Sequence, residues 1–580
     1  MKFNKKLNHT TSHILAMAVL KIFPNTILGF GPATNEGFYY DFKFEKNLLE
    51  SDLLKIEKQM KKIISNNFVM KKIDSQYEYD FSHQPLKREL NDEFISSDKE
   101  VTFYSIVNPS LQKDLFVDLC AGGHLHKIND VKHFKLLSLA GAYWKGDSNN
   151  EQLTRIYGTA WDTKEELNNF LSIISERKER DHRKIGKELN LFMFDKLSGH
   201  GFPIWLEDGM KVKRRIEEQI LWLDDKYGFK EVLTPIVGER ELYVKSGHWD
   251  HYKDDMFAPI IADHEKLILR PMTCPHHILI FRSTRRSYRE LPIRYSEQSN
   301  LYRHEKSGAL IGMERVRGMQ LTEGHIFAHK NQIISEFKKC YELITEALNM
   351  FNINIFYVSL SVRDINKKDK FYDDDKMWEE AEEDLRKVLK ELGVEYKEMK
   401  GEAAFYGPKI DIQIKTSLGH EVTMSTLQLD FLLPKKFDLT FINSDGELET
   451  PVIIHRGLIS TYERFLAILL EQTKGNLPFW LSPKQVAIIP VNEEHNDYSN
   501  DIYKMLKQER IHVLVDDRNE RVSKKIREAQ IAKTKIQIVI GDKEVENDKL
   551  SLRFYGSEKI KIISKDKIVN YLRKLTIEKK

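Results

Sequence analysis

Cysteine is nearly missing from this chain: 580 residues carry only Cys120, Cys274 and Cys340, an odd and widely scattered set. That excludes a disulfide framework and points to a reducing cytoplasm. Long apolar runs are missing too. Nothing approaches the roughly 18 residues of a membrane span, and the charged N-terminus holds no signal-peptide core. A soluble, cytoplasmic protein is expected, with no membrane partner. Internal repeats and long low-complexity tracts are also lacking. Charge of one sign does not dominate, since the formal net charge is only +3. It is unevenly spread, however: residues 481–580 hold 22 Lys and Arg against 16 Asp and Glu. The C-terminal hundred residues are therefore the basic end, as suits contact with phosphates, although a solvated lysine-rich surface would read the same.

The length implies about three to five domains. Residues 1–157 open on a helical pattern from His9 to Leu20, pass through the turn-rich Phe30-Gly31-Pro32 and the aromatic Gly37-Phe38-Tyr39-Tyr40, and close near Trp144. Residues 158–194 contain a charged, proline-free stretch whose Leu167, Phe170, Leu171 and Ile174 form one stripe. The spacing predicts a single long linker helix over Lys164 to Leu189. Residues 195–480 mix strands, such as Lys266 to Arg270, with amphipathic helices. After a boundary near Pro478 to Pro483, residues 481–580 alternate strands (Gln485 to Pro490, His512 to Val515, Ile536 to Ile540) with helices, which predicts a small α/β domain.

Three segments draw the eye next: Pro-Met-Thr-Cys274-Pro, Glu-Gly-His325-Ile-Phe and Ile-Ile-His455-Arg-Gly. Their spacing alone does not group them, but the surrounding sequence resembles, nearly end to end, the threonyl-tRNA synthetase family of class II. The resemblance implies an α+β multidomain chain: an N-terminal α+β editing domain, a class II catalytic core on an antiparallel sheet, and a C-terminal α/β anticodon-binding domain. It implies that Cys274, His325 and His455 hold one Zn²⁺ with a coordination position left open. Class II motif one resembles Tyr227 to Pro235, a helix end entering a strand that stops at proline and supports a homodimer. Motif two resembles Leu301-Tyr-Arg303-His-Glu305 and the loop to Arg315, and motif three resembles Ser460-Thr-Tyr-Glu-Arg464. By resemblance Arg303 grips the α-phosphate of ATP, Glu305 accepts the adenine amino group, and Arg315, Gln428 and Arg464 complete the ATP site, with Mg²⁺ assisting. Met272, Tyr406, Asp430 and Glu323, the last standing where the family usually has aspartate, face L-threonine. Lys409 and His248 join the catalytic set, the histidine as a base of pKa near 6.5 acting on the terminal adenosine of tRNA(Thr). A local patch of Cys274 with His276 and His277 is the structural alternative to the dispersed triad.

Near the N-terminus, His9-Thr-Thr-Ser-His13 places two imidazoles on one helical face, and Cys120-Ala-Gly-Gly-His124 adds a thiol and a third ring. Four such groups suit a metal. The same boxes recur in the editing domains of threonyl- and alanyl-tRNA synthetases, and for threonyl enzymes the resemblance implies a metal-free pocket that hydrolyses seryl-tRNA(Thr). Asp118 either joins it or is a solvated carboxylate. In the C-terminal domain, Asn519, Glu544 and Arg553 match segments that read anticodon bases. The chain departs from the family in lacking its small leading domain, and in carrying His276, Ser460 and Ser523 at usual glycines. Those replacements also fit a regulatory RNA-binding paralogue without catalysis. A serine or proline enzyme is the other alternative, which the Cys/His/His set and the editing boxes oppose.

Overall fold

A computed structural model describes residues 3–73, 81–97, 101–147, 149–367 and 370–579. The chain forms two compact units that part between Glu176 and Arg177. In the first, helix Lys5–Ile22 begins on Asn4, whose side chain accepts from the Leu7 amide, an N-cap. The helix is buried almost all round from Leu7 to Val19, so its polar side chains must bond within the protein. Thr10 and Thr11 donate to carbonyls one turn back, and Asn8 both donates to and accepts from the backbone of Ala160. Ala160 belongs to an antiparallel sheet ordered Ile27–Leu28, Phe38–Lys43, Gln152–Trp161, His133–Tyr143. A separate antiparallel sheet, Val69–Ile73, Phe103–Asn108 and Lys113–Leu119, carries Asp118. The sequence boundary at residue 157 falls inside a strand whose pairing continues to Trp161 opposite His133.

The expected single helix over Lys164–Leu189 is two helices, Lys164–Arg180 and His182–Glu188. Asp181 interrupts it with extended ψ, and its carboxylate caps the second helix by accepting from the Arg183 amide at 2.8 Å. An aspartate that offers the backbone a local partner competes with helix continuation, and apolar spacing does not register that.

The second unit is built on eight strands in the order Lys230–Glu231, Ile293–Tyr302, Gly318–Ala328, Val452–Thr461, Glu421–Asp430, Lys409–Lys415, Ile355–Val362, Tyr396–Lys400. The six inner strands are antiparallel, as expected, while each edge strand runs parallel to its neighbour. Helices Glu207–Lys226, Ile333–Met350, Asp375–Leu392 and Tyr462–Thr473 share one core with Ile326, Ile454, Leu427 and Leu429. Strand alternation therefore turns His325, His455, Gln428 and Asp430 to the opposite face. That alternation is what assembles the site. A five-stranded sheet follows, with Val513–Val515, Val486–Pro490 and Ile536–Ile540 parallel and Lys549–Phe554 and Ile560–Ser564 antiparallel. It matches the expected α/β domain.

Candidate active site and metal centre

His325 and His455 are direct cross-strand partners, their ring centroids 4.9 Å apart. Cys274 is the first residue of helix Cys274–Arg282. All three are buried, and one donor atom from each lies within 4.8 Å of the other two. A thiol and two imidazoles at this spacing fit zinc. Both rings are held from outside, as ligating imidazoles usually are. His455 Nε2 lies 2.9 Å from Asp430 Oδ2. His325 Nδ1 lies 2.9 Å from His277 Nδ1, and His277 Nε2 lies 3.1 Å from Glu297. Burial lowers the His325 pKa well below its ordinary value and raises that of the Cys274 thiol well above. The imidazole is thus already neutral for ligation, whereas the thiol must shed its proton on binding metal. The local Cys274–His276–His277 patch does not form, because His277 is engaged by His325 and Glu297 while His276 packs on Tyr243 and Gly238.

Around the triad, Tyr406 is buried with its ring 5.0 Å from His455, and its hydroxyl donates to Gln428. Gln428, expected at ATP, is thereby tied to Tyr406 beside the triad. Glu323 shares a strand face with His325 and has one buried carboxylate oxygen without a partner. Asp430, expected at the substrate, is committed instead: its oxygens accept from the Leu432 and Leu433 amides and face His455. Met272 is half-buried against the neighbouring apolar cluster, and Lys409 pairs with Asp411 at 2.7 Å. His248 is fully buried, with Nδ1 2.7 Å from Ser246 Oγ and Nε2 3.6 Å from Cys274 Sγ. Burial, aided by the charges of His455 and Lys436, holds it down to about 3, which corrects the expected pKa near 6.5.

Arg303 and Glu305 leave strand Ile293–Tyr302, and Arg464 stands in the first turn of helix Tyr462–Thr473. Arg303 donates to the Pro271 carbonyl at 3.2 Å, Arg315 to Glu305 at 2.9 Å, and Arg464 to the Glu314 carbonyl at 3.0 Å. Burial first, and then the nearby charges of Arg303 and Arg315, lower the pKa of Arg464. Converging guanidinium groups of this kind are suited to a polyphosphate. Of the three glycine replacements only Ser460 sits at positive φ, +60°; His276 and Ser523 lie in ordinary helix.

In the first unit, His9, His13, Cys120 and His124 converge, again with one donor atom each inside 4.8 Å. Cys120 Sγ lies 3.4 Å from His9 Nε2 and 3.1 Å from His124 Nε2. Asp118 is no solvated carboxylate: it is buried, 3.2 Å from His13 Nδ1, ion-paired with Lys87, and accepts from the Tyr40 hydroxyl at 2.7 Å. Burial alone would push the Cys120 thiol up, but hydrogen bonds from His124, His13 and His9 bring it down to about 3. Burial alone would lower His13, but Asp118 and Cys120 raise it to about 9. At neutral pH the pair is a thiolate and an imidazolium. The Ser12 hydroxyl lies 2.8 Å from each of the His9 and Gly31 carbonyls. A cavity of about 360 Å³ opens between Phe30, Lys87, Phe94 and Cys120. Sequence reasoning missed Lys87 and Glu297, neither of which falls in a spaced pair of chemical residues; it weighed His277 only as a ligand of the local patch and Tyr40 only as part of an aromatic run.

Among the anticodon candidates, Asn519 is exposed and Arg553 is half-buried opposite Gln537 on the sheet. Glu544 is spoken for: its oxygens accept from the Gly541 amide at 3.1 Å and the Ser551 hydroxyl at 2.6 Å. It acts as a helix cap.

Residues 257–473 match the tRNA synthetase class II core domain (G, H, P, S and T). Residues 485–575 match an anticodon binding domain, and residues 101–157 the threonyl and alanyl tRNA synthetase second additional domain. A threonine–tRNA ligase of Mycoplasmopsis pulmonis is 56% identical over 565 residues, 97% of this chain and 95% of that protein. One from Staphylococcus aureus is 49% identical over 568 residues, 97% of this chain and 87% of that one. Among solved structures, the RNA binding domain of threonyl-tRNA synthetase from Cryptosporidium parvum superposes with a TM-score of 0.65 at 33% identity, covering 68% of this chain and 98% of its own. A prolyl-tRNA synthetase from Giardia lamblia shares the fold at a TM-score of 0.55 and 16% identity, over 70% of this chain and 80% of that one.

Proposed function

The chain belongs to the threonyl-tRNA synthetases of class II, and from that premise we propose how its own residues perform the work of a threonine–tRNA ligase with an editing domain. The reading divides the chain into editing (1–157), linker (158–194), catalytic (195–480) and anticodon-binding (481–580) parts. Arg303 holds the α-phosphate of ATP while the threonine carboxylate attacks it and pyrophosphate leaves, forming threonyl-adenylate. Glu305, itself fixed by Arg315, accepts from the adenine amino group, and Arg464 covers the base or the γ-phosphate. Mg²⁺, when bound with ATP, would neutralise phosphate charge. Zn²⁺, held by Cys274, His325 and His455, would bind the amine and hydroxyl of threonine together, which valine cannot match. Tyr406, Gln428, Met272 and Glu323 enclose the amino acid, Asp430 steadies His455, and Lys409 lines the wall. The terminal adenosine hydroxyl of tRNA(Thr) then attacks the adenylate carbonyl, AMP leaves, and His248, kept neutral by burial and tethered to Ser246, accepts a hydrogen bond from the attacking hydroxyl, whose proton departs with AMP.

For mischarged serine, we infer hydrolysis in the pocket of His9, His13, Cys120 and His124, without metal. The thiolate–imidazolium pair orients water against the ester, and Asp118 braces His13. Asn519 and Arg553 meet the anticodon. Leu233 and Ile236, 86% and 43% exposed just past the motif-one strand, support a homodimer through that edge. Among the described residues no helix is long and apolar enough to cross a membrane, and three free thiols support a cytoplasmic site of action.

The convergence of Cys274, His325 and His455 on one point carries the amino-acid assignment. Threonine-, serine- and valine-dependent ATP–pyrophosphate exchange tests it. Strong exchange with threonine, weaker with serine and background with valine is the expected result; equal exchange with valine would overturn the zinc reading.

A further inference from the structure

The loop between the two arginines of motif two carries Glu314 and Arg315, held by the bond from Arg464 Nε to the Glu314 carbonyl, by the bond from Arg315 to Glu305 and by the paired backbones of Ile311 and Arg315. A further hold lies behind the loop. His182, the first residue of the short helix His182–Glu188, is buried with its side chain 3% exposed. Its Nδ1 lies 2.7 Å from Glu471 Oε1, and its Nε2 accepts from the Met313 amide at 3.1 Å. One tautomer satisfies both contacts: the neutral ring with its proton on Nδ1, donating to the carboxylate and accepting from the amide.

The partner carboxylate comes from an informative place. Glu471 and Arg464 are seven residues apart on helix Tyr462–Thr473, two turns along the same face. One helix face thus grips the loop twice, at the Glu314 carbonyl through Arg464 and at the Met313 amide through His182. The loop is shaped for this approach. Gly312 has φ +45°, and a Cβ there would stand 2.3 Å from His182 Nε2, closer than any side chain tolerates. A cavity of about 720 Å³ opens beside Arg183, Leu310 and Gly312, while the Met313 side chain is buried in the core. Arg180, just before the Asp181 break, donates to the Glu471 and Gln472 carbonyls at 2.9 and 3.1 Å, which locks the chain entering His182 to the same helix end.

We propose that His182 is a positioning residue for ATP: through Nε2 it fixes the Met313 amide, and with it the Glu314 carbonyl that orients Arg464 and the Arg315 side chain that orients Glu305. The inference rests on the assignment of Arg303, Glu305, Arg315 and Arg464 to ATP given above.

Two near-isosteric variants separate this role from plain stability. In His182→Asn the amide nitrogen takes the Nδ1 position, keeping Glu471 but losing Met313. In His182→Gln the amide oxygen reaches the Nε2 position, keeping Met313 but losing Glu471. In threonine-dependent ATP–pyrophosphate exchange by the full chain, His182→Asn should raise the KM for ATP about tenfold, as the loss of one buried hydrogen bond implies. The KM for threonine should stay within about twofold, and His182→Gln should lie much nearer the unsubstituted enzyme. Gly312→Ala, whose Cβ would press on His182 Nε2 and part it from the Met313 amide while leaving the histidine in the chain, should reproduce the selective rise for ATP. The inference is overturned if His182→Asn and Gly312→Ala leave the KM for ATP unchanged. It is equally overturned if both histidine variants lose every parameter in step with their melting temperature. Failure of the unsubstituted enzyme to exchange at all would overturn the underlying ATP assignment instead, so the two failures are distinguishable.

Discussion

Asp118 offers the sharpest quantitative test of the first unit. Its side chain and that of Lys87 are each 2% exposed, and His13 is 3% exposed. The carboxylate is shared by an ammonium, an imidazolium and the Tyr40 hydroxyl. Asp118→Asn keeps the shape but removes the charge, leaving the Lys87 cation buried beside a second positive ring. Removing one member of a buried pair costs about 3–5 kcal/mol, out of a total that for a domain is about 5–15 kcal/mol. Lys87→Met alone should cost less, since Asp118 retains Tyr40 and His13. The double variant, which leaves no uncompensated charge between positions 87 and 118, should recover most of the loss.

The pH dependence follows from the same groups. Asp118 lies below its ordinary pKa because the Lys87 ammonium and the His13 contacts outweigh burial, so its contribution is complete above about pH 4 and fades as pH falls toward its lowered value. His13 is raised to about 9, so its contribution is complete below about 6.5 and fades as pH rises through about 9. The Asp118→Asn penalty should therefore be largest between about pH 4 and 6.5 and smaller at pH 9.5. Calorimetry of the full chain, with deacylation of seryl-tRNA(Thr) as the activity readout and threonine-dependent exchange as the control on the other unit, measures all three variants. An Asp118→Asn protein that melts like the original at pH 6, or a double variant no better than the sum of the singles, would refute the charge argument.

Arg464→Ala should lower kcat for exchange by about 10²–10³, the usual effect of deleting one preorganised charge donor, without moving the melting temperature by more than a few degrees. Ser460→Gly should stabilise the protein by about 0.5–1 kcal/mol, because relief of left-handed strain exceeds the entropy glycine adds to the unfolded chain; an unchanged Tm would show that Ser460 bears no strain. Arg553→Ala should raise the KM for tRNA several-fold while leaving exchange untouched, and an unchanged KM removes Arg553 from anticodon reading.

The convergence of Cys274, His325 and His455 was legible because family motifs mark them, and strand alternation then explains how the two histidines meet. His325 and His455 sit in runs whose neighbours Ile326 and Ile454 are core, so a period of two assigns both imidazoles to one face once their strands are known to pair. Pairing itself was not legible, since more than a hundred residues separate them. Asp118 was weighed from sequence, but its partner Lys87 escaped for the same reason, as an ion pair between a helix and a distant strand leaves no local spacing. Asp181 was invisible because a stripe of Leu167, Phe170, Leu171 and Ile174 reads the same whether or not the helix breaks after it. The altered glycines were ambiguous until φ was known. Two of them occupy helix, where any residue fits, and only Ser460 meets the backbone demand that glycine would relieve. Glu544 and Asp430 look like recognition residues in sequence, but each spends its oxygens on backbone amides and a neighbouring side chain.

The two Cys/His clusters use the same residue types with opposite electrostatics, and the difference predicts which of them takes a metal. Cys274 lies in a buried setting where its thiol is pushed well up, by burial and then by Glu323 and Asp430, and where His325 and His248 are held neutral. Arg303 acts on that thiol in the opposite sense but is outweighed by burial and the two carboxylates, so a bound cation is what would balance a thiolate there. Cys120 is already a thiolate at neutral pH, and the charge that balances it is the proton on His13, itself balanced by Asp118 and Lys87. A divalent ion entering that pocket would have to displace the His13 proton against Asp118, whereas at Cys274 it displaces only a thiol proton, which is released to solvent. The protein should therefore bind one zinc per chain. Elemental analysis after dialysis against a weak chelator should find that zinc lost in Cys274→Ser and retained in Cys120→Ser. Two zinc ions per chain, with one lost in each variant, would show that the internal proton does not protect the first pocket and that its hydrolysis is metal-dependent.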